Sequence, residues 1–275
     1  MGLSLLEVLR RATSYLSTHG SSSPRLDAEL LLAYALGCRR LDLYLQFDRS
    51  LEDQELARYR DLTGRRAKAE PVAYLVGSKE FMKLDFGVSA DVLVPNPDTE
   101  VLVQRAVSRA RQCGRPVRVA DVGTGSGCIA VSIAHYVPES TVFASDDSPE
   151  ALAVAAQNVS RHGLEDRVSL LLGNLLQPHP SDLDLVLANL PYLPRSASLP
   201  AEVLAQPAHA LFGGESGAEL VAALLSTAGA HLAAGGRVLT EIDGGILDQL
   251  DLSGFAGHQV HGDLSGRPRV LEAWI

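Results

Sequence analysis

Val117-Arg-Val-Ala-Asp-Val-Gly-Thr-Gly-Ser-Gly-Cys-Ile-Ala130 is the stretch whose reading decides the fold. An apolar run ends at Asp121, turns through Gly123, Gly125 and Gly127, and enters a helical pattern. A buried strand feeding a glycine turn and a helix N-terminus is a nucleotide-binding device. Missing Cβ atoms let a ligand approach the backbone, and the turn can adopt φ > 0. Sites that hold a pyrophosphate favour G-x-G-x-x-G, whereas this chain reads G-x-G-x-G after an acid. The spacing therefore argues against a dinucleotide.

Thr141-Val-Phe-Ala-Ser145 is a second short apolar run, followed by Asp146-Asp147-Ser148-Pro149. An acid at the tip of the second strand, roughly twenty residues past the glycines, can accept both ribose hydroxyls of a nucleoside. Asp146 has the better register, directly after the strand. Asp147 can instead begin the turn, with Ser148 as N-cap and Pro149 at the first helical position. From about residue 96 onward, strands and helices alternate, as in a doubly wound α/β sheet. Strand candidates are 117–121, 141–145, 168–172, 183–188 and 236–242, with a last pair at 257–261 and 268–274; helices are expected at 149–162 and 215–233.

The first 70 residues read as helices only. Ser4 with Glu7 makes a capping box for a helix ending near Gly20. Ser23-Pro24 opens a second helix that closes at Gly37, and Ser50 with Asp53 opens a third. The cluster Arg65-Arg66-Ala67-Lys68 reads as a solvated face or, more sharply, as a partner surface. Val72-Ala-Tyr-Leu-Val-Gly77 and Glu80-Phe-Met-Lys-Leu-Asp-Phe-Gly-Val88 are strand-like and suggest a β-hairpin between two domains. The expected architecture is a Rossmann-like doubly wound α/β sheet with an antiparallel last strand. A small all-α bundle (1–70) and a hairpin linker (71–95) precede the sheet domain (96–275).

Composition narrows the function classes. The 275 residues are 46% hydrophobic, enough for a sizeable core, and carry a net charge of −9 that disfavours general nucleic-acid binding. No apolar run is long enough to span a membrane, and the N-terminus lacks a basic leader followed by an apolar core, which argues against a secretory signal. Three cysteines without metal-ligand spacing suit a reducing cytoplasm, and Cys128 reads as a small buried residue rather than a nucleophile. The eight histidines show neither a metal nor a triad pattern.

The run Ser181-Asp-Leu-Asp-Leu-Val-Leu-Ala188 ends in Asn189-Leu190-Pro191-Tyr192. In open α/β sheets ligands bind beyond the carboxyl ends of the strands, which puts this tetrapeptide beside the glycine loop. An amide or ring-amino nitrogen is a poor nucleophile because its lone pair is delocalised. An Asn oxygen and a neighbouring backbone carbonyl can accept its two hydrogens and aim the lone pair. Pro191 stiffens the turn, and the ring of Tyr192 can stack on a flat substrate group.

With these residues in place, the glycine loop resembles the first motif of S-adenosylmethionine-dependent methyltransferases. Nearly the whole chain resembles the bacterial N5-glutamine methyltransferases that modify peptide chain release factors. The likeness is carried by Glu70-Pro-Val-Ala-Tyr-Leu-Val-Gly77, Pro95-Asn-Pro-Asp-Thr-Glu100, Asp121 to Gly127, Asn189 to Tyr192 and Gln206-Pro-Ala-His-Ala-Leu-Phe-Gly-Gly-Glu-Ser-Gly217. It implies that Asp121, Gly123, Thr124, Gly125, Ser126, Gly127, Asp146, Asn174, Leu175 and Asn189 hold S-adenosylmethionine, leaving S-adenosylhomocysteine as product. Asn189, Leu190, Pro191 and Tyr192 would bind the substrate, with Asn189, Leu190 and Tyr192 carrying the catalysis. It further implies a cytoplasmic enzyme, a glutamine in the Gly-Gly-Gln loop of a release factor as target, docking by the helical domain, and no metal or membrane. Three positions depart from the family pattern: Leu190 stands where Pro is usual, Asn96 where Arg is common, and Asn174 where an acid is frequent. Other nitrogen targets, a ribosomal protein glutamine or a nucleic-acid base, share the chemistry. A non-catalytic protein that binds the cofactor and docks a translation factor is the alternative of another class.

Overall fold

The structure is a computed structural model that describes residues 3–263 and 266–275. The chain forms two compact units: Met1–Ser78 together with Leu199–Ala205, and Lys79–Ser198 together with Gln206–Ile275.

The first unit is helical. Helix α1 (Leu5–Thr18) is opened by the expected capping box, in which the Glu7 carboxylate accepts from the Ser4 amide at 3.0 Å and Ser4 Oγ accepts from the Glu7 amide at 3.3 Å. Helix α2 (Pro24–Leu36) starts on its proline and stops at left-handed Gly37. Helix α3 (Asp53–Arg66) begins differently from the Ser50/Asp53 expectation. Glu55 accepts from the Glu52 amide at 2.9 Å, and Ser50 instead bridges Ser4 as an isolated antiparallel pair. Leu5, Leu9, Leu16, Leu31, Leu32, Tyr59 and Leu62 fill the core between these helices. The basic cluster is only in part a solvated face. Arg66 is buried, donating from Nε to Asp27 Oδ2 at 2.7 Å and from Nη2 to Glu202 Oε2 at 2.6 Å, while Arg65 Nε donates to Glu70 at 2.8 Å.

Residues Val72–Val76, expected as a strand, form the short helix α4. Five apolar residues between Pro71 and left-handed Gly77 fit either state, and Val72, Leu75 and Val76, spaced i, i+3, i+4, pack on the helical unit's core as one helix face does. The hairpin comes wholly from the second strand-like stretch, as β1 (Ser78–Phe81) and β2 (Leu84–Gly87), turning at Met82 and Lys83 with φ of 50° and 61°. Glu100 accepts from the Met82 amide at 2.8 Å, and the Asn158 side chain accepts from the Gly87 amide at 2.7 Å.

In the second unit, α5 (Glu100–Gln112) leads into β3 (Arg118–Val122), α6 (Cys128–Tyr136), β4 (Thr141–Asp146), α7 (Pro149–Arg161), β5 (Val168–Leu172) and β6 (Leu183–Ala188). After β7 (Leu193–Pro194) come α8 (Ala201–Leu204), which belongs to the first unit, β8 (Phe212–Gly214), α9 (Glu219–Ala228) and β9 (Leu232–Glu241). The pair β10 (Gly257–Gly262) and β11 (Pro268–Trp274) ends the chain. The main sheet has the order β10-β11-β9-β6-β3-β4-β5; β11 runs antiparallel between β9 and β10, and the other neighbours are parallel. Every residue of β6 is buried, as a central parallel strand requires. Helix α9 is shorter than expected at both ends, and β9 already takes over at Leu232. The sheet order reverses at β3, between β4 and β6, and opens a crevice at the carboxyl ends of these strands.

Candidate active site

The crevice is lined by the tips of four neighbouring parallel strands. Gly123, Thr124, Gly125 and Ser126 follow β3; Asp146 ends β4 and Asp147 follows it; Asn174 and Leu175 follow β5; Asn189, Leu190 and Pro191 follow β6. Val92, Pro95, Asn96 and Thr99 close it on the side of the segment that enters α5.

The glycine loop is held from below. Asp121 does not line the cleft; it lies wholly buried, and its Oδ2 accepts from Thr124 Oγ1 at 2.6 Å and from the Ala130 amide at 3.0 Å. Burial pushes its carboxyl up to about 7, against the lowering effect of those two donors. Gly125, at φ 54°, faces open space where a Cβ would meet no atom. Its amide donates to Asp146 Oδ2 at 2.8 Å, and the Ser148 amide donates to Oδ1 at 3.0 Å. Ser148 caps α7 through the Ala151 amide, as the sequence indicated. Each oxygen of Asp146 keeps a further lone pair for a diol. Its carboxyl is raised by burial, opposed by the two amides. Leu175 sits at φ 47° and its carbonyl accepts from Ser145 Oγ at 3.3 Å, which holds the loop beyond β5.

Asn189 ends the central strand, and its Nδ2 donates to Thr99 Oγ1 at 3.0 Å. Leu190 is buried; its Cδ2 lies 2.9 Å from where a Cβ on Gly123 would stand, so the Leu side chain occupies the space beside the loop. Tyr192 does not line the cleft. Its ring packs on the core and its hydroxyl donates to Glu241 Oε1 at 3.1 Å, and burial with the nearby carboxylate raises its pKa. Backbone contact fixes the course of this turn. A Cβ on Gly213 would lie 2.2 Å from the Pro191 carbonyl oxygen, and one on Gly217 2.3 Å from that of Tyr192. The Phe212 to Gly217 motif is thus a glycine bed for the Asn189 to Tyr192 backbone. Cys128 also lines the cleft, but burial drives its thiol up to about 12, which leaves it neutral.

The cleft fits S-adenosylmethionine. Open backbone at Gly125 offers close approach, Asp146 stands at the strand tip where a ribose diol is bound, and Asp91, Asp146 and Asp147 supply acids for a cationic ligand. Thr99 and Glu241 had no role assigned from sequence. Thr99 lies inside the quoted Pro95 to Glu100 motif, and Glu241 is an acid at the end of an apolar strand, a signal visible only in retrospect. Among the described residues there is no cluster with metal-ligand composition, and no helix is long and apolar enough to cross a membrane.

Comparisons with known proteins assign the chain to a family. Residues 7–77 match the family model of the PrmC N-terminal domain, and residues 95–215 match that of the methyltransferase small domain. The release factor glutamine methyltransferase of Moorella thermoacetica is 39% identical over 280 residues, spanning 99% of this chain and 99% of its own. That of Rhodopirellula baltica is 39% identical over 281 residues, spanning 97% and 95%. Among solved structures, the T. thermophilus 16S rRNA N2 G1207 methyltransferase in complex with AdoMet and guanosine superposes with a TM-score of 0.52 at 16% identity, covering 72% of this chain and 49% of that one. That likeness concerns the fold alone. With both segments matched and relatives of this identity along its whole length, the chain belongs to the release factor glutamine methyltransferase family.

Proposed function

We propose that this protein transfers a methyl group from S-adenosylmethionine to the side-chain amide nitrogen of a glutamine, in the Gly-Gly-Gln loop of a peptide chain release factor. The observation that carries the reading is Asn189 at the carboxyl end of the central strand, beside the glycine loop and with its Nδ2 already engaged. Family membership supplies the substrate class. When bound, S-adenosylmethionine supplies an electrophilic methyl group on a sulfonium. The glycine loop from Gly123 to Gly127, Asp146, and the Asn174–Leu175 turn would hold it.

Asn189 Oδ1 and the Leu190 carbonyl accept the two amide hydrogens of the substrate glutamine. That pairing fixes the orientation of the substrate nitrogen and aims its lone pair into the cleft. Acceleration comes mainly from positioning, which can contribute several powers of ten. The nitrogen becomes acidic only once alkylated and then releases its proton to water, so no strong general base is needed. Pro191 stiffens the turn, and Tyr192 anchors it to Glu241 rather than stacking on the substrate. Leu190 offers the same backbone acceptor as the proline usual at that position. The helical unit serves as the docking element for the protein substrate, and the enzyme works in the cytoplasm, where release factors act. S-adenosylhomocysteine is the second product.

The test is transfer of label from radiolabelled S-adenosylmethionine to a purified release factor, beside its Gln→Ala variant in the Gly-Gly-Gln loop. Label on the unaltered factor alone is the expected result. Equal label on both, or label on neither with cofactor bound, would refute the assignment.

A further inference from the structure

Asn189, Thr99, Glu241 and Tyr192 form one hydrogen-bonded chain whose polarity is set at its far end. Glu241 ends β9 and is buried, with Oε2 accepting from Thr99 Oγ1 at 2.7 Å and Oε1 accepting from the Tyr192 hydroxyl at 3.1 Å. An ionised carboxylate can only accept. The single hydroxyl hydrogen of Thr99 is therefore committed to Glu241, and its oxygen can only accept from the next partner. That partner is the Asn189 side chain, at 3.0 Å. A primary amide facing a pure acceptor must present its nitrogen, so its oxygen points the other way. The amide orientation thus follows from the donor count.

We infer that Thr99 and Glu241 are positioning residues that lock the Asn189 side chain with its oxygen available to the substrate amide. The inference rests on the reading of Asn189 as acceptor of the glutamine N–H. A flipped Asn189 would present N–H to N–H, and the substrate nitrogen would lose one of its two acceptors. Thr99 lines the cleft with its hydroxyl turned to Asn189 and Glu241, and it acts through Asn189. The same carboxylate holds Tyr192, so one buried group sets both ends of the Asn189 to Tyr192 turn. Arg269 keeps Glu241 company, with Nη1 4.0 Å from Oε1 and Nη2 paired to Asp98 at 3.1 Å. Burial raises the Glu241 carboxyl, and the Thr99 and Tyr192 hydroxyl donors together with this cation oppose that shift and favour the ionised form.

The test compares Thr99→Val, Thr99→Ser and Asn189→Ala for kcat, for KM of the release factor and for calorimetric affinity of S-adenosylhomocysteine. Val keeps the shape of Thr but neither donates nor accepts. Thr99→Val is expected to lose roughly tenfold to a hundredfold in kcat, with KM and cofactor affinity within about twofold of the unaltered enzyme. Thr99→Ser restores the hydroxyl and is expected to recover most of the rate. A merely structural Thr99 would lower melting temperature and cofactor affinity without this split, and Ser would not rescue kcat. Should Thr99→Val fail to fold, Thr99→Ala takes its place with the same expected split. Full kcat in the Thr99 variant, with Asn189→Ala inactive, would overturn the lock and leave the substrate clamp standing. Full activity in Asn189→Ala would overturn the clamp itself and the lock with it.

Discussion

The Gly125 amide donates to Asp146 Oδ2 at 2.8 Å, tying the middle of the glycine loop to the tip of the neighbouring strand. One carboxylate therefore shapes the loop and faces the cleft. Asp146→Ala is expected to weaken S-adenosylhomocysteine binding by one to two powers of ten, given about 1.5–3 kcal/mol for hydrogen bonds to a charged acceptor. Calorimetric titration checks it. An unchanged affinity would remove Asp146 from the cofactor site.

Close packing of Gly213 on the Pro191 carbonyl makes a second prediction. The Cβ of Gly213→Ala would sit 2.2 Å from that oxygen and 2.6 Å from the Gly217 carbonyl oxygen. Neither backbone group can swing aside as a flexible side chain would. Stability should fall by about 1–3 kcal/mol, and the Asn189 to Tyr192 turn should shift. Turnover should drop more than cofactor affinity, since the glycine loop lies elsewhere. Denaturant melts and kinetics of one preparation test both halves.

Asp121 gives stability a pH dependence of defined sign. Its folded pKa, about 7, is above the ordinary value of 3.8, because burial disfavours the charge. A raised carboxyl contributes stability that is fully present below the unfolded pKa and is lost as pH rises through the folded one. Between about pH 4 and pH 7 this group alone should lower stability, levelling off above. Asp121→Asn keeps an acceptor for Thr124 and Ala130 but does not titrate. Relative to the unaltered protein, its melting temperature should therefore improve as pH rises from 4 to 7; a constant difference would refute the shift.

Within the helical unit, Arg66 is the buried centre of an ion pair with Asp27. Arg66→Ala leaves Asp27 with an unmatched charge and is expected to cost about 3–5 kcal/mol. The double variant Asp27→Ala/Arg66→Met should recover part of it. Denaturant titration of the whole chain measures both, and a double variant no more stable than Arg66→Ala would show that the loss does not come from the unmatched Asp27.

Much of this layout was legible before any coordinates. Strand β5, strand β6 and the Ser148–Pro149 start of α7 fell where apolar runs and capping residues put them, because those signals involve neighbours in sequence. The cleft residues from Gly123 to Ser126, Asp146, Asn174, Leu175 and Asn189 to Pro191 came together because parallel strands present their carboxyl ends side by side. Val72–Val76 was misread since five apolar residues carry no period long enough to separate strand from helix. Asp121 and Tyr192 lie against the site rather than in it, a distinction of which side of the backbone faces inward.

By itself, then, the sequence determined the alternation of elements, the glycine turn and the amide-bearing tetrapeptide, all written in spacings of a few residues. Only the tertiary structure decided that Thr99 would meet Glu241 across 142 positions of chain and so orient Asn189. No local pattern encodes that meeting. It arises because the start of α5 and the end of β9 are brought to the same edge of the β6 tip, where a buried carboxylate must find donors and an amide must turn to suit them.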